Sequence, residues 1–178
     1  MDDYRLFGAH FGELYKTLIE VDRDEVGKAV SVLKKARSDG VMVWLIGNGG
    51  SAATAAHFAN DLVKMGKVRA IALPSLVPIV TAYGNDHGWG NMFVDPLYSL
   101  WTPEDVLVAI SCSGNSKNVV RAAEMFEKVI VLTGEKLKGN NLLQMGASAT
   151  ICAMHEDITI QEDVHSAVCH AIAKALRK

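Results

Sequence analysis

Apolar positions recur with a helical period over the first forty residues. Leu6, Phe7, His10, Phe11, Leu14, Leu18 and Ile19 follow one helical repeat. A second repeat, Val26, Val30, Leu33 and Ala36, begins after Asp22 or Asp24, either of which can cap it, and stops at Asp39-Gly40. The period then changes. Residues 41–46 form a short unbroken apolar run ending at Gly47, and similar runs follow at 70–73, 106–110, 129–132 and 149–152. Runs this short and this rich in Val and Ile read as strands rather than as pieces of core helix. They are apolar on both faces and separated by helical stretches, which predicts a parallel sheet covered on both sides. Residues 157–178 read as a final amphipathic helix.

Composition bounds this picture without altering it. The chain has 178 residues, 49% hydrophobic and 21% charged, the make-up of one globular domain that can bury a core without disulfides or a structural metal. Eighteen basic residues against twenty acidic ones leave a net charge of −2, so no strong field favours nucleic acid or an anionic membrane. Cys112, Cys152 and Cys169 are too few and too scattered for a disulfide framework or a zinc cluster. The expectation is a soluble cytoplasmic protein with neither nucleic acid nor membrane as partner.

In a sheet of this kind ligands bind beyond the carboxyl ends of the strands, so the loops there carry the chemistry. The first strand runs into Gly47-Asn48-Gly49-Gly50-Ser51, with a helix predicted from Ala52. Glycines let backbone approach a ligand, and a helix start offers free N–H groups to an anion. A plain turn with a serine cap explains the same residues equally well. The sequence lacks the Lys-Ser/Thr pair of a Walker loop and the glycine spacing of a dinucleotide fingerprint. The third strand ends in Ser111-Cys112-Ser113-Gly114-Asn115-Ser116, with a helix predicted from about Lys117. Hydroxyls and backbone amides can hold a phosphate without a cationic side chain. Two such loops together favour a phosphate cradle over two unrelated caps.

These two motifs, with His57 between them and Asn85-Asp86 in the middle of the chain, resemble the sugar isomerase (SIS) domain family, and within it the phosphoheptose isomerases. The likeness covers nearly the whole chain. It implies a three-layer α/β/α sandwich with a five-stranded parallel sheet of flavodoxin-like type. It also implies a homo-oligomer, usually a tetramer, with the N-terminal helices of residues 1–40 used in assembly and residues 41–178 forming the core. Phe7, Phe11 and Leu14 are candidates for that surface, although they could equally cover the sheet.

His57 and Asp61 lie four apart on one predicted helix face, where they could share a metal, a proton or only an ion pair. The resemblance implies that His57 binds zinc and that position 61 binds zinc and acts as catalytic base. There the family has a glutamate and this chain an aspartate, one methylene shorter. On the final helix the resemblance implies a metal-binding glutamine, then His165, then the catalytic and metal-binding His170. Counting back places Glu162 at the glutamine position, and a shift of one residue would restore Gln161. The implied ligand set for Zn²⁺ or another divalent ion is His57, Asp61, Glu162 and His170, with Asp61 and His170 catalytic. The implied substrate contacts are Asn48, Gly49, Gly50, Ser51, Asn85, Asp86, Ser111, Cys112, Ser113, Asn115, Ser116 and Glu162. No base adjoins Cys112 in sequence, so it reads as a small pocket-lining residue rather than a nucleophile.

The resulting expectation is metal-assisted aldose–ketose isomerisation of a sugar phosphate, foremost sedoheptulose 7-phosphate, through an enediol. Two alternatives stand beside it. One is an isomerase for another sugar phosphate of cell-surface polysaccharide synthesis. The other is a non-catalytic SIS protein acting through a protein partner such as the replication initiator.

Overall fold

The computed structural model describes residues 3–134 and 139–177. Along the chain run α1 (Asp3–Glu20), α2 (Arg23–Asp39), β1 (Val43–Ile46), α3 (Gly50–Lys64), β2 (Ala70–Ala72), α4 (Val77–His87), α5 (Val94–Leu100), β3 (Val106–Ser111), α6 (Lys117–Ala123), β4 (Lys128–Thr133), α7 (Asn141–Gln144), β5 (Ala149–Cys152) and α8 (Ile158–Leu176). Local chemistry sets several of these ends. The Asp22 carboxylate accepts from the amides of Asp24 and Glu25 at the start of α2, and Gly40, at φ 70°, closes that helix in the left-handed region. Asp157 caps α8 by accepting from the Thr159 amide.

The strands pair in one parallel sheet in the order β2-β1-β3-β4-β5. Every residue of β1 and β3 is buried, because alternate side chains enter two different cores. Val43 and Leu45 join Val106, Val108 and Ile110 on one face, while Trp44 and Ile46 join Leu107 and Ala109 on the other. The register pairs Val43 with Val106 and Leu45 with Val108, so like-facing side chains lie next to one another. Leu33 of α2, Phe58 and Leu62 of α3, and Val164 and Ile172 of α8 close the first core. Leu97 of α5, Val119 of α6 and Leu142 of α7 close the second. The result is the expected three-layer α/β/α arrangement. Among the described residues, no helix is long and apolar enough to cross a membrane.

Helix α1 lies on the outside of the first core. Leu14 and Leu18 pack inward, whereas Phe7 and Phe11 are 59% and 66% exposed. Of the three residues considered for an assembly surface, Leu14 therefore covers the core and the two phenylalanines face outward.

Some element ends differ from the sequence reading. Strand β1 begins at Val43 rather than Val41. The Val41 amide completes α2 by donating to the Ala36 carbonyl, and the Met42 amide donates to the buried Asp105 carboxylate. Strand β2 stops at Ala72 because Leu73-Pro74-Ser75 turns into a short 3-10 helix. Asn85-Asp86 lies in the last turn of α4, and the chain leaves the helix at Gly88, where φ is 83°.

The strand order matters for function. Connections leave β1 toward β2 on one side and β3 toward β4 on the other, so the loops after β1 and β3 open away from each other. That divergence creates the crevice where doubly wound sheets bind ligands.

Candidate active site

The crevice between β1 and β3 is a cleft of about 180 Å³, with Asn48 and Ser51 on one wall and Ser111, Cys112, Ser113 and Ser116 on the other. Both serine-bearing loops rest on glycines. Gly49, at φ 54°, is the N-cap of α3, so the helix begins at Gly50, two residues before the predicted start, and includes Ser51 in its first turn. Gly114, at φ 63°, turns the second loop so tightly that a Cβ there would overlap the Asn140 side chain. The Ser111 hydroxyl donates to Ser116 Oγ at 3.2 Å, and the Asn115 amide donates to Ser113 Oγ at 3.2 Å. Among the described residues, no Lys or Arg lines the cleft. Its donors are hydroxyls and the Asn48 amide, a set suited to a phosphate bound by many short hydrogen bonds.

A second cluster lies further along α3 and α8. His57 Nε2 is 3.7 Å and His170 Nε2 3.8 Å from Asp61 Oδ2. The two Nε2 atoms are 3.4 Å apart, and the rings meet edge to face at 77°. Asp61 is buried, while the side chains of His57 and His170 are 58% and 46% exposed, so the three polar atoms face an open side. Zinc bonds of about 2.0–2.2 Å in tetrahedral geometry separate ligand atoms by about 3.3–3.6 Å, close to this triangle. The donor set therefore fits Zn²⁺ or a similar divalent ion with a position left open. Although shorter than the glutamate that the resemblance implied, Asp61 reaches both imidazoles.

The profile of the SIS domain family matches residues 7–134, most of the chain. The chain belongs to the SIS domain family. It is 33% identical over 175 residues to phosphoheptose isomerase from Aquifex aeolicus, covering 93% of this chain and 90% of that protein. It is 37% identical over 162 residues to phosphoheptose isomerase from Bordetella avium, covering 83% and 80%. Among solved structures, phosphoheptose isomerase from Neisseria gonorrhoeae superposes with a TM-score of 0.88 at 28% identity, covering 97% of both chains. That from Francisella tularensis has the same fold, with a TM-score of 0.89 at 23% identity over 99% of both chains.

Within this SIS domain the remaining site residues fall in different places. Glu162 stands outside the histidine cluster and lines the serine cleft. Eight residues separate it from His170 on α8, a rise of about 12 Å. Gln161 does not take its place, because its amide is buried and donates to the His155 carbonyl. Asn85 and Asp86 are exposed at the end of α4, bonded to each other at 2.7 Å, and are not among the residues lining the cleft. Asn115 Oδ1 accepts from the Asn141 amide and ties the serine loop to α7. Burial first, and then the charge of Glu162, raise the Cys112 pKa, against a hydrogen bond with Ser51. The thiol therefore stays protonated near neutral pH. His165 is buried with Nε2 donating to the Thr133 carbonyl at 2.8 Å, and burial lowers its pKa to about 4, so it is a neutral packing residue.

Three supporting residues escaped the sequence reading. Asn118 exchanges two amide hydrogen bonds with Asn48, at 3.0 and 2.8 Å, and links the two walls of the cleft. The Thr133 hydroxyl donates to the Ser111 carbonyl at 2.8 Å and accepts from the Asn140 amide at 3.0 Å. Neither spacing nor composition signals these pairs, because the partners of Asn118 and Thr133 lie 70 and 22 residues away.

Proposed function

We propose that this chain interconverts the ketose and aldose forms of a heptose phosphate, sedoheptulose 7-phosphate and D-glycero-D-manno-heptose 7-phosphate. That it is a sugar phosphate isomerase rests on its likeness to phosphoheptose isomerases over most of both chains. The finer reading rests on one observation: a buried carboxylate meets two imidazoles on the helices that also wall a serine-lined anion cleft.

In this reading the phosphate rests on Ser111, Ser113 and Ser116, while Asn48 and Ser51 hold sugar hydroxyls. Asp61 takes the proton from the carbon beside the carbonyl, leaving an enediol, and the proton is returned to the neighbouring carbon. His170 exchanges the proton between the two oxygens. His57, Asp61 and His170 would hold the divalent ion, and a bound ion would polarise the carbonyl and hydroxyl oxygens where negative charge develops. The same reading makes the working enzyme a cytoplasmic homotetramer, with the exposed Phe7 and Phe11 on its contact surface.

The test is a panel of phosphorylated heptoses and hexoses, incubated with the protein and Zn²⁺, Mn²⁺ or no added metal, and followed by NMR. Turnover of the heptose 7-phosphate is expected. Turnover of a hexose phosphate alone would move the activity to another sugar, and no turnover under any condition would refute an isomerase. Asp61 and Glu162, standing where the resemblance implies glutamate and glutamine, favour a second reading as a sugar-phosphate-binding protein acting through a partner such as the replication initiator. That reading predicts binding without turnover.

A further inference from the structure

The geometry points to Glu162 as a specificity-determining residue that restricts the cleft to ligands with a single anionic group. The inference rests on reading the cleft as a sugar phosphate site. It concerns Glu162 on the wall opposite the serine loop, to which that reading gives no role.

Glu162 reaches into the cleft from the first turns of α8 and is partly buried. Its carboxylate packs against Gly50, the first residue of α3, so closely that a Cβ at position 50 would overlap both oxygens. A side chain at position 50 would have to displace the carboxylate from this place. The carboxylate thus stands beside the free amides at the start of α3, where a helix of this length would otherwise welcome an anion from solution. Its charge also crosses the cleft, since it contributes to raising the Cys112 pKa on the serine loop. Among the described residues, no Lys, Arg or His forms an ion pair with Glu162, so the carboxylate that faces the cleft at this wall has no side-chain counter-ion.

Two chemically opposite ends follow. At the serine end, Ser111, Ser113 and Ser116 offer hydroxyl donors to a phosphate. At the α3 end, Glu162 offers only acceptors, so the ligand there must present donors such as sugar hydroxyls. A second phosphate or a carboxylate at that end would meet a like charge at close range in a confined site, where repulsion is poorly screened. The cleft should accept a polyol monophosphate in one orientation and reject a bisphosphate.

Isothermal titration of the full chain with inorganic phosphate, fructose 6-phosphate and fructose 1,6-bisphosphate tests this. Wild type should bind the monophosphate at least about tenfold more tightly than the bisphosphate, since one poorly screened like-charge contact exceeds the 1.4 kcal/mol of a tenfold change. Glu162→Gln keeps the shape and removes the charge. It should bring the two sugars within about threefold of each other and tighten inorganic phosphate at least about fivefold, because the like charge that opposes both anions is gone. Equal binding of both sugars by wild type, or an unchanged ratio in Glu162→Gln, overturns the proposal. Glu162→Ala, checked for an unchanged melting profile, should relax the ratio in the same direction, and failure to do so also overturns it. Ser111→Ala separates the two levels of inference. If phosphate affinity is the same as in wild type, or neither protein binds phosphate, the cleft is not the phosphate site and the proposal falls with that reading. If Ser111→Ala weakens phosphate while Glu162→Gln changes nothing, only the role of Glu162 fails.

Discussion

The loop that would carry the phosphate is held from beneath by one hydroxyl, and replacing Thr133 with Val tests how much that support matters. Thr133 is fully buried at the end of β4, with its hydroxyl donating to the Ser111 carbonyl at 2.8 Å and accepting from the Asn140 amide at 3.0 Å. Valine retains the backbone bonds, including the Thr133 carbonyl's acceptance from His165. The Ser111 carbonyl keeps one donor, the Gly114 amide at 3.0 Å, so its loss is that of a single neutral hydrogen bond. The Asn140 amide, also buried, loses its partner. The first loss costs about 1 kcal/mol and the second about 1–3 kcal/mol, for a total of about 2–4 kcal/mol. For a chain of this length, that lowers the melting temperature by about 4–16 °C. Urea unfolding followed by tryptophan fluorescence, at matched protein concentration, measures the free energy, and titration with inorganic phosphate measures the cleft. Both stability and phosphate affinity should fall. A stability change under about 0.5 kcal/mol, the range of an ordinary surface substitution, or a stability loss with phosphate affinity untouched, would refute the reasoning.

Two further outcomes follow from buried groups. Burial holds the His165 pKa down to about 4 against an ordinary 6.5, so the unfolded chain takes up a proton first as pH falls. This contribution is complete above about pH 6.5 and is lost on falling toward pH 4, by up to about 3 kcal/mol. His165→Asn should flatten that part of the stability–pH curve, and an unchanged slope would show that the imidazole is not held neutral by burial. Asp61→Glu would push the carboxylate about 1 Å further toward imidazoles that Asp61 already reaches, a displacement that can cost about 10²-fold in rate. Turnover and zinc affinity should both fall. A gain in either would mean that aspartate leaves the cluster too open.

The architecture was legible wherever the signal is local. Val and Ile runs apolar on both faces imply a sheet with two cores, as Val43/Leu45 and Trp44/Ile46 demonstrate by entering opposite ones. Asp22, Gly40 and Asp157 mark helix ends because a cap acts within a few residues. Strand order is non-local, and nothing in the runs themselves says that the loops after β1 and β3 lie side by side. The site was legible in its serine loops and in the His57–Asp61 spacing, which helix geometry makes a shared face. Glu162 lines the cleft, where it was expected to meet substrate, but stands apart from the histidine cluster that it was expected to join. Position along α8 does not fix the group that a side chain joins, and the rise between Glu162 and His170 separates them into different groups. Asn118 and Thr133 left no trace because a polar residue gains its meaning from partners far along the chain.

Proton transfer at the His57–Asp61–His170 cluster is tested most directly by NMR of sedoheptulose 7-phosphate turnover in D₂O. The proton that Asp61 takes lies beside two imidazoles that are about half exposed, so it should exchange with solvent through them. The account predicts an aldose 7-phosphate carrying deuterium at C2, and loss of both product and label in Asp61→Asn. No aldose product, or a product with only protium at C2, would contradict it.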